Sequence, residues 1–201
     1  MERFSTIISS ILSPVVVPAY GVFCAIWCSY LAFNPSGTKW MVVLISFLLT
    51  GLIPIAAIFA LYRLGKISDT GLNERTERTV PYAITGIAYI ACAFFLYRVG
   101  APSWLWLFPV GGCLAVIVNM TVNRWWKISA HAAAMGGLVA LLSRLAFDGV
   151  AMPWIIYWVT GAIMLTGLLG TARIVLGRHT PWQVAAGTFN GFISVFLITA
   201  L

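Results

Sequence analysis

Seven stretches without charged residues lie along this chain, separated by short polar segments. Most of them reach the roughly 17–25 residues that an α-helix needs to cross the hydrocarbon core of a membrane. The stretches span residues 7–33, 40–62, 81–97, 104–122, 130–142, 153–172 and 184–201. This pattern predicts an all-α protein, a polytopic transmembrane bundle of six to seven helices that forms a single domain over residues 1–201.

Two of these stretches differ from a plain transmembrane helix. The first, 7–33, contains Pro14 and Pro18. It is too long for the apolar region of a signal peptide, so we expect a kinked helix that stays in the mature protein. The fifth, 130–142, is short and begins beside Ser129 and His131. We therefore expect part of it to face a polar cavity.

Composition assigns the chain to the membrane class. Hydrophobic residues make up 61% of the chain, charged residues make up 8%, and the mean hydropathy is +0.97. Soluble domains carry roughly 25% charged residues, so a soluble enzyme, a nucleic-acid-binding module and a disordered tail are excluded. We expect an integral protein of a bacterial inner membrane.

The net charge of +7 points to a lipid partner. The basic residues are dispersed over the segments between helices, and they do not form one dense patch. The expected partners are therefore the lipid bilayer and its anionic head groups, and not nucleic acid. No cofactor is expected, and the sequence does not specify an oligomeric state.

Three polar segments, residues 63–79, 124–131 and 173–183, are separated from one another by two predicted spans each. Parity therefore places all three on one face of the membrane. They carry both histidines of the chain and several cations: Arg75, Arg78, Lys127, Arg173, Arg178, His131 and His179. Guanidinium groups suit a phosphate, and imidazoles suit nucleophilic and acid–base catalysis. Because no carboxylates cluster with them, we do not expect a divalent metal site.

Simpler interpretations exist for some of these residues. Glu74 and Arg78 are four residues apart, a spacing at which they can pair on the surface of a solvated helix. Arg178 fits an interfacial anchor better than a ligand. The spacing of the two histidines around Arg173 nevertheless favours a functional site, because ionisable groups inside a membrane protein are functional by default.

The segment from Arg173 to Gln183 resembles a motif of the type 2 phosphatidic acid phosphatase superfamily, which includes lipid phosphate phosphatases and vanadium haloperoxidases. The third motif of that superfamily has Ser-Arg, then five residues, His, three residues and Asp. Arg173 and His179 match this spacing, with Leu-Gly before the histidine and Pro181 after it. Gln183 stands where the superfamily has Asp.

The other two motifs of the superfamily are matched in part. Ser129 and His131 match its Pro-Ser-Gly-His, with Pro and Gly replaced. Arg78 aligns with the Arg of its first motif, and Arg75 and Lys66 are rival candidates for the Lys of that motif. The motifs occupy residues 63–184 and leave residues 1–62 as N-terminal spans.

The resemblance implies a haloperoxidase-like helical core and a metal-independent phosphatase. His179 would attack phosphorus to form a phosphohistidine, and His131 would protonate the leaving alkoxide. The residues implied to hold the phosphate oxygens are Arg173, Arg78, Ser129 and one or more of Arg75, Lys127 and Lys66.

Gln183 is the departure that affects the chemistry. A neutral amide orients the nucleophilic histidine but does not offset the charge of its cationic form, as Asp does. Either the site works with a neutral orienting group, or a carboxylate from the first polar segment substitutes. The candidates for that substitution are Asp69, Glu74 and Glu77.

The expected function is that of a membrane phosphatase acting on a phosphate monoester or diphosphate of a lipid, such as phosphatidate, phosphatidylglycerophosphate or a polyprenyl diphosphate. Two alternatives are a lipid phosphotransferase that uses the same site and a non-catalytic protein that binds anionic lipid. The excess of Lys and Arg on the motif-bearing face favours the cytoplasmic side. The candidate phosphate ligands make up much of that excess, so the side stays undecided.

Overall fold

The computed structural model describes residues 1–200, which form an all-α bundle, as predicted. Apart from one isolated bridge between Ser29 and Ala151, these residues contain no β-structure. The helices are α1 (Glu2–Ile11), α2 (Val17–Trp27), α3 (Ser36–Phe47), α4 (Ile53–Arg63), α5 (Thr79–Arg98), α6 (Ser103–Val122), α7 (Ala130–Phe147), α8 (Ile155–Val175) and α9 (Pro181–Ile198).

Five helical segments of residues 1–200 are long and apolar enough to cross a membrane, fewer than the six to seven predicted. They are Ser36–Arg63, Arg75–Arg98, Ser103–Val122, Ala130–Phe147 and Ile155–Val175. The last predicted stretch forms α9, which has 18 residues and is not one of the five.

The first predicted stretch is not a single kinked helix. It is divided into α1 and α2, of 10 and 11 residues, and a helix of that length spans only about 15 Å. Pro14 lies in the break, where its missing N–H prevents the helix from continuing. Pro18 lies in the first turn of α2, where a missing N–H costs nothing.

A short π-helical segment, Leu48–Leu52, joins α3 to α4, so that residues 36–63 form one continuous span. Pro54 lies in the first turn of α4 and has no N–H to donate to the preceding turn. A single π-helical turn within an α-helix accommodates a missing backbone hydrogen bond of this kind.

The helix α7 lies at the centre of the bundle. Its residues Met135, Ala140 and Leu141 are fully buried, and it packs against α9, α8 and α2. A methyl group added at Gly191 of α9 would overlap the main-chain oxygen of Ala133, and one added at Gly136 would overlap the oxygen of Thr188. The backbones of α7 and α9 are therefore in direct contact, an arrangement that small residues permit.

This contact positions the chemistry-bearing segments. The Ser129 N–H donates to the Gln183 carbonyl (3.3 Å), which joins the N-terminus of α7 to that of α9. The Arg75 carbonyl accepts from the Asn123 side chain (2.8 Å), which joins the first polar segment to the second. The three polar segments therefore meet at one end of the bundle, here called the motif end.

Candidate active site

A cavity of about 670 Å³ opens at the motif end and continues into the bundle. The side chains of Arg78, His131, Arg173, Arg178 and His179 line its outer part. The cavity therefore collects arginine and histidine side chains from the three polar segments, although these segments are far apart along the chain.

Arg78 is held by main-chain oxygens. Its Nε donates to the Leu72 carbonyl (2.8 Å) and its Nη1 donates to the Ile128 carbonyl (3.3 Å). Leu72 has a φ of +51°, a left-handed conformation that is uncommon for a residue other than glycine. The side chain of Arg78 is only 5% exposed. Within residues 1–200 Arg78 forms no ion pair with Glu74, so the surface pairing considered from the sequence is wrong.

The carboxylates of the first polar segment stabilise that segment. Asp69 accepts from the N–H of Gly71 (2.6 Å) and from the side chain of Asn73 (3.1 Å). Glu77 accepts from both the N–H and the hydroxyl of Ser68, at 2.9 and 3.0 Å. Neither bonds to His179, so the idea that one of them replaces the superfamily's Asp is wrong for both.

The end of α8 explains the spacing between Arg173 and His179. The N–H groups of Arg178 and His179 both donate to the Arg173 carbonyl, at 3.1 and 3.3 Å. Gly177 makes this reversal possible with a φ of +63°, a conformation that glycine adopts without steric cost. The turn brings His179 back beside Arg173.

Arg173 is 7% exposed, and its Nε has no hydrogen-bond partner. A buried guanidinium N–H without an acceptor is costly, because the group has lost its hydration. Arg173 and Arg78 are both buried, and the salt bridge found within residues 1–200 joins Arg144 and Asp148 instead, at 2.7 Å. The cavity therefore holds two buried arginines that form no salt bridge within residues 1–200, although Asp69 also lines the cavity.

His179 begins the connection into α9 and is itself 7% exposed. Its Nδ1 lies 3.2 Å from Gln183 Oε1, which also accepts from the Thr180 N–H at 3.1 Å. A main-chain N–H only donates, so the Gln183 atom at this position is the amide oxygen, and Nδ1 must carry the proton. The lone pair of His179 is therefore on Nε2.

Gln183 has a structural role as well. Thr180 and Gln183 form a capping box at the start of α9, in which the Thr180 hydroxyl accepts from the Gln183 N–H (3.4 Å). Such reciprocal bonds satisfy N–H groups that a helix N-terminus leaves free. One oxygen atom of Gln183 thus serves both the helix and the histidine.

The surroundings of His179 keep its imidazole neutral. Burial and the positive charges of Arg173 and Arg78 lower its pKa to about 4, and its hydrogen bond to Gln183 acts in the opposite direction. At neutral pH the ring is therefore unprotonated at Nε2. A neutral imidazole with a free lone pair is the form that acts as a nucleophile.

His131 is in the first turn of α7 and contacts α1. Its Nε2 lies 3.2 Å from the Ser9 carbonyl. A carbonyl only accepts, so Nε2 carries a proton and Nδ1 is the ring nitrogen that exchanges one.

Several predicted site residues lie outside the cavity lining. Lys66 is exposed, Arg75 donates to the Arg124 carbonyl (2.9 Å), and Ser129 is fully buried and caps α7 by accepting from the Ala132 N–H (3.3 Å). Lys127 is half-buried beside the cavity. Burial and the charges of nearby arginines lower its pKa.

Two residues of the cavity differ from the sequence interpretation. Arg178, interpreted as an interfacial anchor, lines the cavity. Tyr82 was missed altogether, although its buried hydroxyl lines the cavity and has no hydrogen-bond partner. Tyr82 follows Arg78 by four residues, a spacing that places the two on one helix face, and this was the available signal.

Within residues 1–200, no group of three or more His, Cys, Asp or Glu side chains is arranged to hold a metal ion.

Comparison of the chain with family models, with curated proteins and with solved structures finds no match.

Proposed function

We propose that the protein is a membrane phosphatase that hydrolyses a phosphate monoester or diphosphate of a lipid through a phosphohistidine. The observation that carries this proposal is the pairing of two buried arginines, Arg78 and Arg173, with a neutral His179 whose Nε2 is free. Buried cations without carboxylate partners favour an anionic occupant, and a phosphate fits the fork geometry of guanidinium groups. The resemblance to the phosphatidic acid phosphatase superfamily supports the same chemistry.

In the first step of the proposed reaction, His179 Nε2 attacks phosphorus and the bond from phosphorus to the lipid oxygen breaks. The substrate enters as its phosphate monoanion, and His131 Nδ1 takes up that proton and passes it to the leaving alkoxide. In the second step neutral His131 takes a proton from water, the hydroxide oxygen attacks the phosphohistidine, and His179 is released while the proton on His131 leaves with inorganic phosphate.

The charge that develops on the phosphoryl oxygens needs donors already in place. The Nε–H of Arg173, the guanidinium of Arg78 and the hydroxyl of Tyr82 supply them in the proposed site. Because these groups are buried, their electrostatic effect on a transition state is larger than it would be in water.

The proposal is tested by measuring phosphate release from a lipid panel with purified protein in detergent. The panel contains phosphatidate, phosphatidylglycerophosphate and a polyprenyl diphosphate. We expect activity to persist in EDTA, since arginines supply the positive charge. We expect vanadate to inhibit competitively, because it adopts the five-coordinate geometry of the transition state. Strict dependence on Mg²⁺, or no release from any substrate, would refute the proposal.

Replacing Gln183 with Glu tests how the nucleophile is oriented. A Glu side chain is as long as Gln, so it can still form the capping box, and its carboxylate would accept the hydrogen bond from Nδ1. The negative charge should raise the pKa of His179 from about 4. Since only the neutral ring attacks, the acid limb of the kcat/KM profile should move upward by about one to three pH units.

The matched control is Trp182→Glu, which adds the same charge at the neighbouring, exposed position. Its acid limb should coincide with that of the wild type. An unchanged profile in Gln183→Glu would show that Gln183 does not orient His179 during turnover.

A further inference from the structure

The cavity extends well beyond the proposed phosphate site. Its inner part, here called the inner chamber, lies between α5, α6, α7 and α9. The side chains that form its wall are mainly apolar or aromatic: Tyr89, Phe108, Pro109, Val116, Ala134 and Val195. The proposed chemistry uses none of these residues.

Two hydroxyl groups in the wall of the inner chamber are already satisfied. The Tyr89 hydroxyl donates to the Pro14 carbonyl (2.9 Å), and the Thr85 hydroxyl donates to the Pro81 carbonyl (2.8 Å). Ordered water needs two to four polar partners, and these groups offer few. The inner chamber therefore favours an apolar occupant, whereas the outer part of the cavity presents the unpartnered donors of Arg173 and Tyr82.

The cavity also has a side opening between α1 and α4. Thr6 and Ser10 on α1 and Ile55 and Phe59 on α4 line the cavity and are exposed as well, so they form a rim. The members of each pair are four residues apart and lie on one helix face. The hydroxyls of Thr6 and Ser10 donate to carbonyls of their own helix, at 2.9 and 3.0 Å. Neither hydroxyl therefore needs a hydrogen-bond acceptor from the lipid.

Helix packing leaves this opening unobstructed. The helix α1 packs against α8 and α4 packs against α5, whereas contact between α1 and α4 is slight at most within residues 1–200. Both helices present apolar side chains outward, among them Ile7 and Ile11 on α1 and Phe59 on α4. An opening bordered by such surfaces communicates with the hydrocarbon of a membrane.

We infer that the cavity binds a single-chain lipid phosphate, with its head group at the arginines and its chain in the inner chamber, and that this lipid enters between α1 and α4. The inference rests on the proposed function. Charge complementarity at one end and an apolar wall at the other define the ligand as amphiphilic. A volume of about 670 Å³ falls within the roughly 300–1,000 Å³ that holds one drug-sized ligand, which suits one chain and not the two chains of a diacyl lipid.

The test is to shorten the inner chamber and compare two substrates, dodecyl phosphate and butyl phosphate. Val116→Phe adds bulk to the chamber wall, and Leu114→Phe adds the same side chain on α6 at an exposed position outside the cavity. We expect Val116→Phe to lower kcat/KM for dodecyl phosphate by about tenfold or more, the value of about two buried methylene groups. Butyl phosphate should be hydrolysed at the wild-type rate, and Leu114→Phe should leave both substrates unchanged.

Equal losses on both substrates, or no loss on dodecyl phosphate, would overturn the inference. If Val116→Phe fails to fold, Ala134→Leu on the opposite wall takes its place, with the same expectation. A wild type that releases no phosphate from either ester or from any lipid of the panel refutes the proposed function instead. Thermal stabilisation by dodecyl phosphate, present in the wild type and reduced in Val116→Phe, would then still support the chain site, and its absence would reject that site too.

Discussion

Alanine in place of His179 is expected to lower phosphate release by at least about 1,000-fold, with the protein still folded. The imidazole is the nucleophile of the proposed reaction, and removal of a nucleophile costs nearly all of the catalysis that it provides. The side chain lies in the connection before α9 and its ring bonds only to Gln183, so its loss creates no cavity in the core around α7. Initial rates on a lipid phosphate, together with the thermal unfolding midpoint, measure both effects.

Trp182→Ala is the matched control for the His179 variant. Trp182 is 78% exposed and lies three residues after the histidine, so its truncation should leave turnover close to the wild-type value. A His179→Ala protein with activity within tenfold of wild type would eliminate the phosphohistidine. Trapping of an acid-labile phosphoprotein in the wild type, and its absence in the variant, would identify the atom attacked.

Methionine in place of Arg173 is expected to change activity and stability in opposite directions. Phosphate release should fall by at least about 100-fold, the typical cost of one lost transition-state donor. The unfolding midpoint should rise, because a buried guanidinium without a carboxylate partner destabilises the empty site. Vanadate should raise the midpoint of the wild type and have little effect on the variant, since the anion binds the native state only through this cluster.

Two further variants test whether these effects depend on the burial and the planar shape of the Arg173 guanidinium. Arg178→Met removes an exposed arginine from the same cavity and should not raise the unfolding midpoint, because its charge is hydrated. Arg173→Lys keeps a charge but loses the planar fork, so it should remain impaired. An Arg173→Met protein that is both active and no more stable than wild type would show that Arg173 faces no phosphate.

The meeting of the three polar segments was predictable because it depends only on the number of spans between them. An even number of spans between segments returns the chain to the same face, whatever the exact limits of each helix. The pairing of Arg173 with His179 likewise follows from the spacing, since Gly177 permits a tight turn. Local spacing and parity were sufficient for these features.

Other features depend on contacts that the sequence does not encode locally. The break between α1 and α2 places the Ser9 carbonyl against His131, a contact across more than a hundred residues. Lys66 matched a motif only by type, and its exposure follows from the path of the loop that Asp69 and Glu77 stabilise. Tyr82 has an ordinary helical position and becomes notable only because its hydroxyl lacks a partner.

The direct backbone contact between α7 and α9 has a mechanical consequence for the two histidines. His131 and His179 lie at the adjoining ends of these helices, whose separation is limited by main-chain atoms of Ala133 and Gly191. Main chain does not repack as side chains do, so the separation between the proposed nucleophile and the proposed proton donor does not depend on side-chain changes elsewhere in the apolar core. Substitutions in the core away from the inner chamber are thus expected to affect stability alone, whereas substitution of Gly136 or Gly191 would change the distance between the two histidines.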